Sequence, residues 1–101
     1  MDKQKIIIHA DPDVKELIPT FLENRRKDVE EIARLVSSEN YERIRLLAHS
    51  MKGSGAGYGF DLITEIGAEM ERAAKAMNAS DIRAWLQKLS DYLGRVEVAD
   101  D

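Results

Sequence analysis

The chain of 101 residues has no cysteine, only two prolines and two histidines, and 6% aromatic residues. Without cysteine it can form neither disulfides nor thiolate metal sites, and thiol catalysis is excluded as well. No apolar run approaches the roughly 20 residues that span a bilayer. The apolar stretch near the N-terminus is too short for a signal peptide. We therefore expect a cytoplasmic protein with no membrane partner.

A strong excess of charge of one sign is also missing. The chain carries 15 Lys and Arg against 19 Asp and Glu, which gives a formal net charge of -4 at pH 7. A mildly acidic chain with scattered charges offers no electrostatic reason to bind nucleic acid. Apolar residues make up 44% and charged residues 34%, a balance typical of a folded, soluble domain.

Helical periodicity dominates from about Asp13 onward and predicts four amphipathic helices with short connections. Their predicted starts are Pro19 or Thr20, Tyr41, Gly59, and the residue after an N-cap at Ser80. The apolar pattern of the fourth helix runs to Val96. Four such helices indicate an all-α fold, an antiparallel four-helix bundle. We assign residues 13–101 to this single domain and residues 1–12 to an N-terminal arm, either extended or a short helical lead-in.

The arm contains the one β-like stretch, "KIIIH", Lys5–His9. A single strand has nothing to pair with, so we expect an extended segment packed along the bundle. His9, Asp11 and Asp13 together resemble a metal cluster. A polar lead-in to the first helix explains them better, because no second imidazole stands at helical spacing from His9. We therefore predict no metal site.

The second predicted helix carries the histidine of interest, His49. Successive residues on a helix are about 100° apart, and the apolar stripe of this helix is centred on Ile44. His49 lies about 140° from that centre, so we expect an exposed side chain. Its helical neighbours on the exposed face are Arg45, Leu46, Lys52 and Gly53.

Three of these neighbours are unusual for a plain solvated face. Leu46 is apolar and turned outward. Gly53 stands one turn after His49, where glycine costs a helix about 1 kcal/mol relative to alanine. Lys52 can contact a negative group carried by His49, and a cation there also disfavours the imidazolium form. A lone exposed histidine is most often only solvated. With these three neighbours, a functional role for His49 and a merely solvated position weigh equally.

The stretch "KGSGAGYGF", Lys52–Phe60, invites comparison with phosphate-binding loops. A P-loop places its lysine after the glycines and a strand before them, whereas here Lys52 comes first and a helix leads in. The dinucleotide fingerprint fails as well, because its third glycine is missing and no βαβ unit is present. The glycines then indicate either a helix end or a surface that another protein approaches closely.

Burial is the remaining question for the apolar residues around this region. Met51, Met70 and Met77 fall on the apolar stripes, so we predict that they belong to the core. Phe60, at the start of the third helix, fits a docking surface and a buried position equally well.

The segment "AHSMKGSGAGYGF", Ala48–Phe60, resembles the signature of histidine-containing phosphotransfer (HPt) domains. That signature is an Ala-His pair, a Lys-Gly three residues later, small residues, and then a large apolar residue with Gly. The resemblance covers most of the chain, including a leading helix and a third helix, "LITEIGAEMERAAK". Gly55 and Gly57 depart from the commonest pattern, in which Ser, Ala or Asn often occur. A free-standing bacterial HPt protein and a domain cut from a larger kinase both stay open.

The resemblance implies a phosphocarrier in multistep His-Asp, or two-component, signalling rather than an enzyme. His49 would accept a phosphoryl group from a receiver-domain aspartate or return it, and Lys52 would support that group. The partners implied are response-regulator receiver domains, with a hybrid histidine kinase as a further candidate. The candidate docking residues are Arg45, Leu46, Ser50, Gly53 and Phe60. No carboxylate cluster surrounds His49 in the sequence, so we expect no cofactor here and Mg²⁺ on the receiver.

Two other functions stay open at this stage. A non-phosphorylated helical adaptor would bind a receiver or kinase through Leu46 and the glycine-flattened surface, with His49 incidental. A small metal-dependent enzyme is the weakest candidate, because the only two histidines lie in separate segments.

Overall fold

The computed structural model describes residues 4–99, most of which are helical, as the all-α prediction requires. The elements, in chain order, are β1 (Ile6–Ile8), α1 (Pro12–Lys15), α2 (Ile18–Ser37), α3 (Tyr41–Ser54), a short 3₁₀ turn (Ala56–Tyr58), α4 (Asp61–Lys75), α5 (Ala79–Arg95) and β2 (Val96–Val98). Residues 1–3 of the predicted arm and residues 100–101 of the predicted domain lie outside the described part of the chain. The division into arm and domain stays a prediction.

The four long helices pack in a closed order around one apolar core. Helix α3 contacts α2 and α4, and α5 contacts α4 and α2. This is the neighbour order expected of a four-helix bundle. Each helix packs its apolar stripe into this core. The largest fully buried side chains are Ile18, Ile32, Ile44, Met51, Phe60, Ile63, Ile66, Met70, Ile82 and Leu89. Within residues 4–99, no helix is both long and apolar enough to cross a bilayer.

The connections after α2 and after α4 have the same local structure, a left-handed residue followed by an asparagine. Glu39, after α2, and Met77, after α4, have left-handed backbones with φ of 58° and 53°, a conformation that commonly ends helices. An asparagine follows each of them and caps the next helix. Asn78 accepts a hydrogen bond from the Asp81 backbone N at 3.0 Å, so the prediction of Ser80 as the N-cap is wrong. Ser80 lies inside the first turn of α5.

The prediction that Met77 belongs to the core is also wrong. Helix α4 ends at Lys75, so Met77 lies beyond the last residue of the apolar stripe and is 67% exposed. Met51 and Met70, which lie within helices, are fully buried as predicted.

The N-terminal segment does have a partner, contrary to the sequence-based expectation. Strand β1 pairs in parallel with β2, with Ile6 opposite Val96 and Ile8 opposite Val98. Beyond the pair, the Ala99 backbone N donates to the Ile8 carbonyl at 2.8 Å. Val96 therefore belongs to a strand rather than to the fourth helix. Alternation of β-branched residues with a charged one favours this extended end.

Close contact between α3 and α4 sets the position of the second helix. A Cβ atom on Gly67 of α4 would lie 2.6 Å from the Lys52 backbone N and 2.9 Å from the Ala48 carbonyl oxygen. Only glycine permits this approach without a shift of one helix. The backbone of α4 therefore touches α3 on the turn that carries His49.

The glycine-rich connection between α3 and α4 is also held by side chains. Thr64 Oγ1 accepts a hydrogen bond from the Ala56 backbone N at 2.7 Å and donates to the Lys52 carbonyl at 3.0 Å. Gly59 has φ of 90° and turns the chain into α4. That helix begins at Asp61, two residues after the predicted start.

Candidate functional site

His49 lies on the exposed side of α3. Its side chain is 63% exposed, whereas Ile44, Ala48 and Met51 on the opposite side of the same helix are completely buried. The prediction from the helical wheel is thus confirmed. An imidazole in this position can be reached by another protein and has no part in the core.

A buried carboxylate on α4 contacts the imidazole. Glu71 Oε2 lies 2.9 Å from His49 Nδ1, and Glu71 Oε1 accepts a hydrogen bond from Lys52 Nζ at 2.7 Å. The Glu71 side chain is only 7% exposed. It is the one buried charged residue among residues 4–99. A third group, Lys75 Nζ, lies 4.0 Å from Glu71 Oε2.

The charge state of Glu71 follows from these contacts. The hydrogen bond from Lys52 is the largest influence, and with the His49 contact it lowers the pKa of Glu71 from 4.5 to about 2 although burial acts in the opposite direction. Glu71 is therefore a carboxylate at neutral pH and can only accept hydrogen bonds. The proton of the neutral imidazole then resides on Nδ1, and Nε2 carries the free lone pair.

Lys52 occupies the position that the sequence suggested, one turn after His49, but its immediate partner is Glu71. The Lys52 side chain is 38% exposed, so its ammonium is accessible from outside while it is bound to the carboxylate. Glu71 links His49 to Lys52, because one of its carboxylate oxygens contacts the imidazole and the other accepts a hydrogen bond from the ammonium. A nucleophile, a carboxylate and a cation are thus brought together at one surface.

Four of the five predicted docking residues share the exposed face of α3 with His49. Leu46 is 45% exposed, and Ser50 and Gly53 are exposed as well. A Cβ atom on Gly53 would meet no atom within 4 Å, so this glycine serves no internal packing. Arg45 is partly buried and donates from Nε to Glu42 Oε2 at 3.0 Å.

Phe60 does not belong to this surface. Its side chain is completely buried, and its ring stacks on Phe21 with 5.6 Å between the centroids. The chain turns inward at Gly59, which directs the next side chain into the core. Of the two positions that the sequence left open for Phe60, the buried one is therefore correct.

Glu71 and Gly67 are the two site-forming residues that the sequence analysis missed. Glu71 follows the buried Met70 and stands four residues after Gly67, so it falls on the apolar stripe of α4. A single charge within an apolar stripe is rarely buried without a partner. That signal in "EIGAEMERAAK" was available, and it indicates a charged partner on a neighbouring helix.

A metal site would need several His, Asp or Glu side chains close together. Residues 4–99 contain no group of three or more His, Asp or Glu side chains that could hold a metal ion. The expectation that Mg²⁺ arrives with the receiver stays a prediction.

One comparison with known proteins, the match to a family model, agrees with the geometry of the site. The family model of the Hpt domain matches residues 16–99, which is nearly the whole chain and includes His49, Lys52 and Glu71. No curated protein and no solved structure gives a significant match. The chain therefore belongs to the Hpt domain family, whose members are phosphocarriers, without a kinase site of their own, in phosphorelay signalling.

Proposed function

We propose that this chain is an antiparallel four-helix bundle that carries a phosphoryl group on His49, accepting it from a receiver-domain aspartate and donating it to another. The single observation that carries this proposal is the hydrogen bond of 2.9 Å between His49 Nδ1 and the buried Glu71 carboxylate. It orients an exposed imidazole and leaves Nε2 free to react.

The chemistry follows from the tautomer. The Nε2 lone pair attacks the phosphorus atom of the aspartyl phosphate, the N–P bond forms, and the P–O bond to the aspartate breaks. The electrons of that bond remain on the aspartate, which leaves as a carboxylate. No proton has to be transferred, because Nδ1 keeps its hydrogen. The imidazole becomes positively charged, and Glu71 faces this charge from 2.9 Å.

Charge on the transferred group is balanced by other residues. Phosphoryl transfer depends on positioning and on cations near the phosphoryl oxygens. Lys52 stands one helical turn after His49, and its Nζ binds the same carboxylate as the imidazole. We expect the Mg²⁺ to be held by carboxylates of the receiver, since residues 4–99 contain no group of three or more His, Asp or Glu side chains that could hold it and the Glu71 carboxylate is already bound by Lys52.

We propose that the receiver docks on the exposed face of α3. Leu46 supplies an apolar contact, Ser50 and Arg45 lie at the rim, and Gly53 leaves the space that a partner backbone needs. Openness above Gly53 supports this role, because no neighbouring atom would contact a side chain there. A histidine kinase that contains such a receiver is a candidate partner of the same surface.

Phosphotransfer from a panel of phosphorylated receiver domains with Mg²⁺, followed by intact mass, tests the proposal. We expect an acid-labile phosphoryl adduct on the wild-type chain, none on His49→Gln, and a normal adduct on the matched control His9→Gln. An adduct on His49→Gln at the wild-type level would refute the proposal. Stable binding to a receiver without any adduct would favour a non-phosphorylated adaptor.

A further inference from the structure

Glu71 has a second cation nearby. Lys75 Nζ lies 4.0 Å from Glu71 Oε2, too far for a hydrogen bond, and its side chain is 61% exposed. Lys52 holds the other carboxylate oxygen at 2.7 Å. We propose that Lys75 is a positioning residue that takes over Glu71 when His49 is phosphorylated, so that Lys52 can turn to the phosphoryl group. This inference rests on the proposed function.

The charges at the site explain why a second cation is needed. Before transfer, one carboxylate faces one close ammonium, which is Lys52. A phosphoryl group adds close to two negative charges, while the imidazole gains only one positive charge. One ammonium shared between Glu71 and the phosphoryl oxygens would leave the site with excess negative charge. A second ammonium on Glu71 restores the balance and frees Lys52.

Lys75 is placed to make this exchange, and its neighbour Arg72 is not. Lys75 stands four residues after Glu71 on α4, the spacing and order that suit a Glu–Lys pair on a helix. Its exposed side chain can move without disturbing the core. Arg72 lies closer in sequence, but Glu69 holds its Nη1 through both carboxylate oxygens at 2.9 Å. Arg72 therefore serves as the matched control.

The exchange occurs in two linked movements. Lys52 leaves Glu71 Oε1 for the phosphoryl oxygens on Nε2, and Lys75 closes from 4.0 Å to hydrogen-bonding distance of the carboxylate. His49 Nδ1 keeps its hydrogen bond to Glu71 throughout, so the ring does not rotate. In the unphosphorylated protein Lys75 contributes little, because exposed pairs at this distance are weak.

The test is the equilibrium of phosphotransfer between this chain and one receiver that phosphorylates it. We expect Lys75→Met to shift the equilibrium toward the phosphorylated receiver by about twofold to fivefold, the effect of an exposed ion pair. Arg72→Met should leave the equilibrium at the wild-type value, and Lys75→Arg should restore it. In a Lys52→Met background, Lys75→Met should not shift the equilibrium further, because the Lys52 ammonium that Lys75 would release from Glu71 is already absent.

The outcomes separate this inference from the proposed function. If neither the receivers nor the small donor phosphoramidate phosphorylates His49, the proposed function fails. If phosphorylation is normal but Lys75→Met keeps the wild-type equilibrium, only the role of Lys75 is refuted. Equal shifts in Lys75→Met and Arg72→Met would indicate a general field effect, and an undiminished shift in the Lys52→Met background would rule out action through Lys52. Either result overturns the inference.

Discussion

Replacement of Glu71 by glutamine removes the charge beside His49 while keeping the size of the side chain. The hydrogen bond to Nδ1 can survive, because an amide oxygen also accepts. Its orientation is no longer fixed, because the amide nitrogen can face the ring instead and hold the tautomer that protonates Nε2. The variant therefore loses both the preference for a free Nε2 and the negative charge that faces the developing imidazolium.

The magnitude follows from the 2.9 Å between Nδ1 and Oε2. At that separation, two unit charges attract by about 1.4 kcal/mol in water and about 6 kcal/mol at an effective dielectric constant near 20. The His49 side chain is 63% exposed, so the lower third of this range applies, about 1.4–2.8 kcal/mol. We expect the rate of phosphoryl acceptance to fall by about tenfold to a hundredfold.

The assay is single-turnover transfer from one phosphorylated receiver, measured for the wild-type chain, Glu71→Gln and Glu69→Gln. Glu69 lies on the same helix but binds Arg72, so its variant controls for loss of a carboxylate near the site. Thermal unfolding shows whether each variant is folded. A folded Glu71→Gln protein that accepts the phosphoryl group at the wild-type rate would show that Glu71 does not assist the transfer.

Acid stability, helix packing and receiver docking can each be tested separately. The folded-state pKa of Glu71 is depressed from 4.5 to about 2, so its stabilising contribution is complete above about pH 4.5 and disappears as the pH falls toward about 2. Denaturant titrations at several pH values should show this loss in the free energy of unfolding of the wild-type chain and not in that of Glu71→Gln. Gly67→Ala should destabilise the fold by about 1–3 kcal/mol through overpacking against Lys52, whereas Gly53→Ala should stabilise α3 by about 0.5–1 kcal/mol; equal effects in thermal unfolding would contradict the difference in packing. Leu46→Ser should weaken binding to a receiver, measured by calorimetry, with little change in thermal stability, and an unchanged affinity would remove Leu46 from the docking surface.

Sequence periodicity was sufficient for the part of the site that lies on one helix. The exposure of His49 depends only on its angle from the apolar stripe of α3, and that angle is fixed by the geometry of the helix itself. The burial of Met51 and Met70 follows for the same reason. The family signature likewise consists of residues close together in sequence, so it could be recognised without a structure.

Contacts between distant segments could not be obtained in this way. The contact between His49 and Glu71 depends on how α4 is rotated and how closely it approaches α3, which Gly67 decides through a tertiary contact. The pairing of β1 with β2 joins opposite ends of the chain, so neither short strand shows its partner locally. Met77 was wrongly assigned to the core because the end of α4 depends on its cap, and the apolar pattern does not show where a helix is capped.

The nitrogen atom that carries the phosphoryl group decides whether Glu71 sets the reactive side of the imidazole. The chain, labelled with ¹⁵N in its histidine side chains, would be phosphorylated by a receiver and measured by ¹⁵N and ³¹P NMR. We expect coupling of phosphorus to Nε2 of His49, with Nδ1 protonated both before and after transfer. Phosphorus on Nδ1 of His49, or on His9, would contradict this expectation.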